Sequence, residues 1–306
     1  MLTDFFMLRF LKILIETNLF IAIAAVCFMW ANMFFLDIYM ENFWYLSAQI
    51  FFSTWFVYQI SRWIYYKKGE YANKEELVVQ WFEKYPTLNK ITIYGSGILA
   101  IFFTIFLQPQ TILILCIIGI VSVLYPIPIL IPFGIKTRLR DFPFVKIFLI
   151  AFVWSATSVI LPYTESFYYD NHPDLTRLVL LMFLTQFIYI LFITLPFDIN
   201  DTETDKASNI KTIPSVFGVK SSKIITLILG IIYSFVILFM FMLVNWNHMP
   251  NKYLSDFTIV SIWLLLVLLQ LFTFLKSDKI SKWWIKIIYD GSMILYFLII
   301  FVTKNC

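Results

Sequence analysis

The amino-acid sequence predicts an all-α polytopic integral membrane protein. Of its 306 residues, 61% are hydrophobic and 14% are charged, and the mean hydropathy is +0.83. A soluble domain carries about a quarter charged residues, so this composition excludes a soluble globular protein. The apolar runs are continuous and do not alternate with a period of two residues, which favours helices over membrane-spanning strands. The basic residues form no soluble basic face, so we expect the lipid bilayer, and no nucleic acid, as a partner.

Nine apolar runs are long enough to cross the hydrocarbon core, which takes about 20 predominantly apolar residues in a helix. In chain order they cover residues 17–36, 43–65, 91–107, 111–133, 145–163, 176–196, 223–244, 256–275 and 286–303. The residues before the first run are too few and too charged to hold a span, and they predict an interfacial amphipathic lead-in.

The distribution of Lys and Arg predicts the orientation of these spans. With nine spans, the N-terminus and the connections after the second, fourth, sixth and eighth spans share one side, which holds 20 of the 23 basic residues. Only Arg177, Lys252 and Lys304 fall on the other side. Because basic loops stay in the cytoplasm, the N-terminus is predicted inside and the C-terminus outside.

The whole chain, residues 1–306, is predicted to form a single transmembrane domain with a cap-like cytoplasmic insert at about 66–90. Within the insert, the stretch NKEELVVQWFEKY has the spacing of an amphipathic helix. Its apolar residues Leu77, Val78, Trp81 and Phe82 would share one face. Such a helix is expected to lie on the cytoplasmic surface.

An acidic cluster follows the sixth predicted span in the stretch LPFDINDTETDKASNIKTIP. Asp198, Asp201 and Asp205 are three and four residues apart, so a helical continuation places them in one column. Three carboxylates at the edge of a low-dielectric region repel one another unless a cation holds them together. Mg²⁺ prefers such oxygen ligands and bridges them to phosphates, which Lys206 and Lys211 would also contact. The alternative is a solvated helix end whose acidic residues only make the loop soluble.

The stretch DINDTETDKASNIKTIPSVFG resembles the second aspartate-rich motif of the UbiA superfamily of intramembrane prenyltransferases. That motif has aspartates at these spacings, a basic residue, a Lys-Thr-Ile/Leu-Pro turn and a closing glycine. The matching residues are Asp198, Asp201, Asp205, Lys206, Lys211, Thr212, Ile213, Pro214 and Gly218. The position after the sixth of nine spans agrees as well, so the resemblance covers nearly the whole chain.

A second resemblance lies at LYPIP and KTRLRDFPFVK. Members of the superfamily carry a tyrosine at the end of the fourth span and a basic loop that leads into the fifth. Tyr125, Lys136, Arg138 and Lys146 fit this pattern. The resemblance places Tyr125 among the catalytic residues, and Lys136 and Arg138 among those that bind the substrate.

The resemblance also implies a fold and a reaction. The fold is a set of nine helices around a central chamber that opens to the cytoplasm and laterally toward lipid. The reaction transfers an isoprenyl group from an isoprenyl diphosphate to a hydrophobic acceptor, such as an aromatic ring, a tetrapyrrole or a lipid-like alcohol. Mg²⁺ held by Asp198, Asp201 and Asp205 would stabilise the departing diphosphate in a water-poor chamber.

The first aspartate-rich motif of the superfamily, NDxxDxxxD at the end of the second span, is missing. The corresponding stretch is YQISRWIYY, in which Gln59, Arg62 and Tyr66 take the three aspartate positions. One Mg²⁺ site is therefore predicted to be lost, and Gln59 and Arg62 are predicted to bind substrate instead. Arg62 would hold the diphosphate through its guanidinium, pair with Asp201 or Asp205, or serve only as a basic residue that sets the topology.

Three functions remain as alternatives. The first is an active prenyltransferase in which Arg62 substitutes for the lost metal charge. The second is a non-catalytic member of the superfamily that binds an isoprenoid or a quinone-like lipid. The third is a transporter with an acidic site, which is disfavoured because the acidic residues follow a span and do not lie within one.

Overall fold

Helices make up most of the described chain. The structure, a computed structural model, describes residues 10–38, 43–69, 77–127, 129–131, 135–166, 173–207, 210–245, 261, 263–271, 274 and 282–305. The first three helices are α1 (Phe10–Glu16), α2 (Leu19–Phe35) and α3 (Phe43–Lys68). Helices α1 and α2 meet at an angle of 83°. The bend lies at Asn18, whose φ of 59° is a left-handed conformation that asparagine tolerates better than most residues.

The next three helices are α4 (Leu77–Lys84), α5 (Pro86–Thr104) and α6 (Pro109–Leu124). Helix α4 lies in the predicted insert, although residues 70–76 fall outside the described part. The ring of Phe82 is buried and stacks on Tyr66 of α3, with 5.3 Å between the ring centroids. The Trp81 indole donates a hydrogen bond of 2.9 Å to the Asn89 side chain of α5. These contacts attach α4 to both neighbouring helices.

The helical order is interrupted after α6. The sequence predicted a span that continues to residue 133, and this boundary was wrong because α6 ends at Leu124. Pro126 lies two residues after Leu124, and proline lacks the N–H that would continue a helix. An antiparallel hairpin comes next, formed by β1 (Ile129–Ile131) and β2 (Ile135–Thr137) with Leu130 opposite Lys136. The sequence did not predict this hairpin.

A charged connection leads from the hairpin into the fifth predicted span. It contains a 3₁₀ turn (Leu139–Asp141) and is followed by α7 (Val145–Ser155), a π turn (Ala156–Ile160) and α8 (Leu161–Ser166). Phe144 has a φ of 62°, and its N–H donates a hydrogen bond of 3.0 Å to the Lys211 carbonyl. This bond holds the start of α7 against the end of the aspartate-rich stretch.

The C-terminal half contains α9 (Pro173–Asn200), α10 (Thr202–Ala207), α11 (Ile213–Asn245), α12 (263–271), α13 (Lys282–Ile285), a π turn (Lys286–Asp290) and α14 (Gly291–Asn305). The Lys-Thr-Ile-Pro turn begins α11. The Thr212 N–H donates to Ser215 Oγ at 2.8 Å, and the Ser215 N–H donates to Thr212 Oγ1 at 3.4 Å, which caps the helix. Gly218 interrupts α11 with a φ of 82° and a ψ of 163°.

Helical segments lie at each of the nine predicted spans, but the number nine is not confirmed. Among the described residues, four helices are long and apolar enough to cross a membrane, and five if the bent pair α1–α2 counts as one span. Helix α3 carries Ser, Gln, Tyr and Trp along its length, which lowers its hydropathy. Helix α6 has 16 residues, which is short for a span.

Aromatic side chains pack in the interior of the helical assembly, and large apolar side chains also cover its outside. Tyr189, Trp263 and Tyr296 are each at most 1% exposed, and the Trp263 ring lies 4.2 Å from Tyr296 and 5.2 Å from Tyr189. The Trp263 indole donates a hydrogen bond to the Tyr233 hydroxyl. Large apolar side chains such as Phe235 are exposed instead on the outer faces. Such a surface suits contact with lipid, since a soluble monomer rarely exposes extensive apolar patches.

Candidate active site

Three cavities lie along α3 and α7. The first, which we call the mixed cavity, has a volume of about 230 Å³. Its charged lining residues are Arg62, Lys146, Asp198, Asp201, Lys286 and Asp290. The second, the basic cavity, has a volume of about 320 Å³. Its charged lining residues are Arg62, Arg140, Lys146 and Asp201, so that basic side chains outnumber the acidic one.

The third cavity, the apolar cavity, is the largest of the three at about 500 Å³. Helices α2, α3, α5, α6 and α7 line it, and none of its described lining residues carries a charge. Tyr58 and Trp154 line all three cavities. These two aromatic side chains therefore stand where a charged compartment meets an apolar one.

Lys146 joins the two outer aspartates of the predicted column. It lies in the first turn of α7 and is 8% exposed. Its Nζ is 2.7 Å from Asp198 Oδ1 and 3.3 Å from Asp205 Oδ2. Both carboxylates are 2% exposed, so the ammonium group supplies the counter-charge that their burial requires.

Arg140 is the second cation beside Asp205. Its Nη2 is 3.6 Å from Asp205 Oδ1, and its guanidinium carbon lies 4.8 Å from the centroid of the Tyr65 ring. Burial by itself lowers the pKa of Arg140, but the neighbouring Tyr65, Tyr125 and Asp205 together raise that pKa above its usual value. The guanidinium therefore stays charged while it lines the basic cavity.

The three aspartates do form a continuous helical column, as their spacing predicted. The Asp201 N–H bonds to the Phe197 carbonyl at 2.9 Å, and the Asp205 N–H bonds to the Asp201 carbonyl at 2.8 Å. Helical hydrogen bonding thus continues across the junction between α9 and α10. Asp201 is the member of the column that lines both charged cavities.

Arg62 lies beside the same cavities as Asp201. It projects from α3, lines both the mixed and the basic cavity, and donates a hydrogen bond of 3.0 Å from Nη1 to the Glu16 carbonyl. Arg62 and Lys286 are also the cationic neighbours of Asp290. The end of the second predicted span therefore contributes to the site.

Several predicted site residues lie elsewhere. Gln59 does not line the cavities found among the described residues. It accepts a hydrogen bond of 3.0 Å from Asn18 and donates one of 3.4 Å to Thr92, so its amide ties α3 to the start of α2 and to α5. Lys206 and Lys211 are exposed to solvent outside these cavities. The buried aspartates Asp198 and Asp205 have Lys146 and Arg140 as partners instead.

The remaining predicted residues come from the connection before α7. Tyr125 lines the basic cavity, and its catalytic role stays a prediction. Arg138 instead binds Asp141, with Nε 3.0 Å from a carboxylate oxygen, and so fixes the 3₁₀ turn. Lys136 pairs through its backbone in β2, and its side chain is outside the described part.

Four further site residues were not predicted from the sequence, namely Arg140, Trp154, Lys286 and Asp290, and Lys146 was predicted without a specific role. A signal was available for three of them. Lys146, Lys286 and Asp290 are charged residues inside predicted spans, where a charge is unfavourable unless it faces the protein interior and has a partner. Trp154 had no such signal among the many aromatic residues of the chain.

Comparison with known proteins assigns the family. Residues 87–297, more than half of the chain, match the UbiA prenyltransferase family. This chain belongs to the UbiA prenyltransferase family. Among curated protein sequences, none matches this UbiA family member.

Solved structures of UbiA homologues share the fold. A homologue from Archaeoglobus fulgidus bound to DMAPP and Mg²⁺ has a TM-score of 0.64 at 12% identity, with 95% of this chain and 99% of that chain covered. A structure from the same organism bound to GPP and Mg²⁺ has a TM-score of 0.66 at 13% identity, with 95% and 99% covered. The apo homologue from Aeropyrum pernix K1 gives 0.68 at 10% identity, with 93% and 96% covered. At such identities the likeness establishes the UbiA membrane fold.

The residues of this UbiA chain do not fit a magnesium ion held by the aspartate column. Within the described ranges, no group of three or more His, Cys, Asp or Glu side chains is arranged to hold a metal ion. Two of the three carboxylates already contact Lys146, and Asp205 also pairs with Arg140. A divalent cation at that position would meet an ammonium group within contact distance, which is electrostatically unfavourable.

Proposed function

We propose that this chain is an intramembrane prenyltransferase that moves an isoprenyl group from an isoprenyl diphosphate to an aromatic or lipid-like acceptor. The observation that carries the proposal is the junction of the basic and apolar cavities at Tyr58 and Trp154. An isoprenyl diphosphate has a strongly anionic head directly bonded to an apolar tail. A basic compartment adjoining an apolar one is complementary to this molecule.

The head group fits the basic cavity. Arg62, Arg140 and Lys146 present positive charge there, and the Tyr125 hydroxyl is an additional donor. A guanidinium binds two phosphate oxygens at once, whereas the ammonium of lysine acts as a point charge. These side chains would hold the diphosphate and stabilise the charge that develops on it as it departs.

The tail fits the apolar cavity. Its volume of about 500 Å³ lies within the range of ordinary ligand pockets, roughly 300 to 1,000 Å³. Its wall contains aliphatic side chains of α5 and α6, such as Ile101, Ile105 and Leu115. Such a wall binds an isoprenyl chain without forming hydrogen bonds and excludes water from the reacting carbon.

The chemistry follows from this placement. The bond between the first isoprenyl carbon and the diphosphate oxygen breaks, and the electron pair leaves with the diphosphate. The resulting allylic cation would lie beside Tyr58 and Trp154, since aromatic rings stabilise a cation. The acceptor then bonds to the isoprenyl carbon and gives up a proton, which Asp201, the carboxylate that lines both charged cavities, would accept.

Lipid analysis of cells tests the proposal. Extracts of a strain that lacks the protein are compared by mass spectrometry with those of the parent strain. We expect a prenylated lipid to be missing and its acceptor to accumulate. The purified protein in phospholipid vesicles, supplied with geranyl, farnesyl or geranylgeranyl diphosphate and the mutant extract, should restore the product and release diphosphate. Unchanged extracts together with no diphosphate release would contradict the proposal.

The second candidate function is binding of an isoprenoid or quinone-like lipid without catalysis. The observation that favours it is the complete charge compensation of Asp198 and Asp205 by Lys146 and Arg140. Under this alternative, the vesicle experiment would show retention of the lipid and no release of diphosphate. In the orientation that we propose from the basic residues, the charged cavities face the cytoplasm.

A further inference from the structure

We propose that Lys146 replaces a divalent cation between Asp198 and Asp205, so that the site binds an isoprenyl diphosphate without Mg²⁺. The inference rests on the proposed function, since it concerns the same substrate and the same cavity. It departs from what the solved homologues bound to DMAPP or GPP contain, because those structures hold Mg²⁺ with the ligand.

Cations balance the charge of two aspartates in the column. Asp198 and Asp205 are buried to the same degree, and Lys146 lies within 2.7 Å of one and 3.3 Å of the other. Arg140 adds a second positive charge at 3.6 Å from Asp205. Two of the three carboxylates in the column therefore face two cations, and these two need no metal ion to balance their charge.

Arg62 supplies a further positive charge to the same site. Arg62, which the resemblance places at an aspartate position of the first motif, lines both charged cavities. A metal ion on that side would face a positive charge instead of an oxygen ligand. The diphosphate, in contrast, would gain a bidentate hydrogen-bond donor.

The basic cavity also contains a hydrogen-bond donor that a phosphate oxygen could accept from. Arg140 Nε is buried and has no hydrogen-bond partner among the described residues. A buried donor of this kind is unfavourable unless a ligand or water satisfies it. A phosphate oxygen bound in the basic cavity would satisfy it, while Asp205 keeps the same guanidinium oriented through Nη2. The side chains thus supply both the charge and the directional donors that Mg²⁺ would otherwise supply.

The experiment measures binding, not turnover. Isothermal titration calorimetry on the full chain in lipid nanodiscs follows the binding of geranyl S-thiolodiphosphate, an analogue whose sulfur bridge resists cleavage. One titration contains excess EDTA and the other contains excess Mg²⁺. We expect the two dissociation constants to agree within about threefold, which is under 1 kcal/mol. Binding that needs Mg²⁺ would overturn this inference but leave the proposed function intact, whereas no binding in either buffer would overturn both.

A variant tests the role of Lys146 itself. Lys146→Met removes the ammonium group and retains a flexible side chain of similar length. We expect the affinity in EDTA to fall by about tenfold or more, and added Mg²⁺ to recover part of the loss, since the released carboxylates then need a cation. Direct binding of Mn²⁺, followed by electron paramagnetic resonance, should appear in this variant and be absent from the wild type.

The matched control is Lys220→Met, because Lys220 is exposed on α11 and lines none of the three cavities. It should behave as the wild type in every titration. If Lys146→Met binds no Mn²⁺ and keeps its affinity in EDTA, the inference is wrong. If this variant fails to fold, the comparison of EDTA and Mg²⁺ on the wild type decides the question alone.

Discussion

Arg62 is the residue whose substitution separates the possible roles of the altered first motif. It lines both charged cavities, and its side chain also bonds to the Glu16 carbonyl. For Arg62→Ala we expect the affinity for the diphosphate analogue to fall about tenfold to a hundredfold, the usual effect of losing a hydrogen bond to a charged group. Calorimetry in EDTA measures the loss, and Lys220→Ala is the control.

The other roles of Arg62 give different outcomes. A guanidinium that only locks the carboxylates would, when removed, allow Mg²⁺ to bind the variant more tightly than the wild type. A residue that only sets the topology would leave both the diphosphate and the Mg²⁺ titrations unchanged, and would favour the non-catalytic alternative.

Trp154 should affect the rate of the reaction more than substrate binding. Its ring lines all three cavities, at the point where the allylic cation would form. A desolvated cation–π contact contributes about 2 kcal/mol, which corresponds to roughly thirtyfold in kcat. We therefore expect Trp154→Ala to lower kcat by about this factor, and Trp154→Phe, which keeps a ring face, to lower it less.

Steady-state kinetics with the purified protein in vesicles measures the effect of Trp154, and Trp284→Ala is the control because Trp284 is half-exposed, at 53%. An equal loss in Trp154→Phe and Trp154→Ala would indicate that the indole acts through packing or its N–H and not through its π face.

Single residues also show why the sequence predicted the site only in part. The spacing of Asp198, Asp201 and Asp205 was sufficient to predict a column, since helical geometry is local. The partner of that column is Lys146, which is more than fifty residues away in sequence, and only the packing of α7 on α9 brings them together. Lys206 and Lys211 are close in sequence but exposed, so proximity along the chain was misleading there.

At the scale of elements, Gly218 determines the course of α11 after the aspartate-rich stretch. Its φ of 82° and ψ of 163° lie in a region that is essentially restricted to glycine. No atom lies within 4 Å of a Cβ added there, so the penalty would come from backbone strain and not from a clash. We expect Gly218→Ala to lower the free energy of unfolding by about 1–3 kcal/mol.

The matched control for this prediction is Gly95→Ala in the helical interior of α5. A Cβ at Gly95 also meets nothing within 4 Å, but its backbone is helical. Alanine should stabilise the helix there by about 0.5–1 kcal/mol. Thermal unfolding in detergent compares the two variants. Similar midpoints would show that alanine adopts the backbone conformation at position 218 without strain.

The boundaries of the elements were less predictable than their existence. Apolar runs located the helices because the hydrocarbon core selects for them. The run that reaches residue 133 continues in composition beyond Pro126, but the backbone of α6 does not, since proline ends the hydrogen-bonding pattern. Hydropathy alone cannot distinguish an apolar hairpin from the end of an apolar helix.

At the scale of the whole molecule, the site exists only in the assembled helices. Its charged residues come from α3, the connection before α7, α7 itself, the junction of α9 and α10, and the π turn before α14. Charged cavities enclosed by an apolar exterior suit a bilayer, because unpaired charges are excluded from its core. The composition of the sequence predicted this arrangement. Which charged side chains pair with one another depended on tertiary packing.

The orientation of the whole molecule is the remaining prediction, and it also tests the number of spans. An odd number of spans places the two ends of the chain on opposite sides of the membrane, whereas an even number places them together. The basic residues predict that Lys220 faces the cytoplasm and that Cys306, which is outside the described residues, faces the exterior. A variant that keeps only Cys306, with Cys27 and Cys116 changed to Ala, should therefore react with a membrane-impermeant maleimide in intact cells.

The comparison is a variant whose single cysteine is introduced by Lys220→Cys, with all three native cysteines replaced. This cysteine should react only after the cells are permeabilised, since position 220 is exposed on the protein surface but predicted to lie inside. If both positions react only after permeabilisation, an even number of spans separates position 220 from the C-terminus, and the prediction of three spans there is wrong. If position 220 alone reacts in intact cells, the positive-inside pattern does not orient this chain, and the charged cavities face the exterior. An isoprenyl diphosphate in the cytoplasm could then reach them only after transport across the membrane.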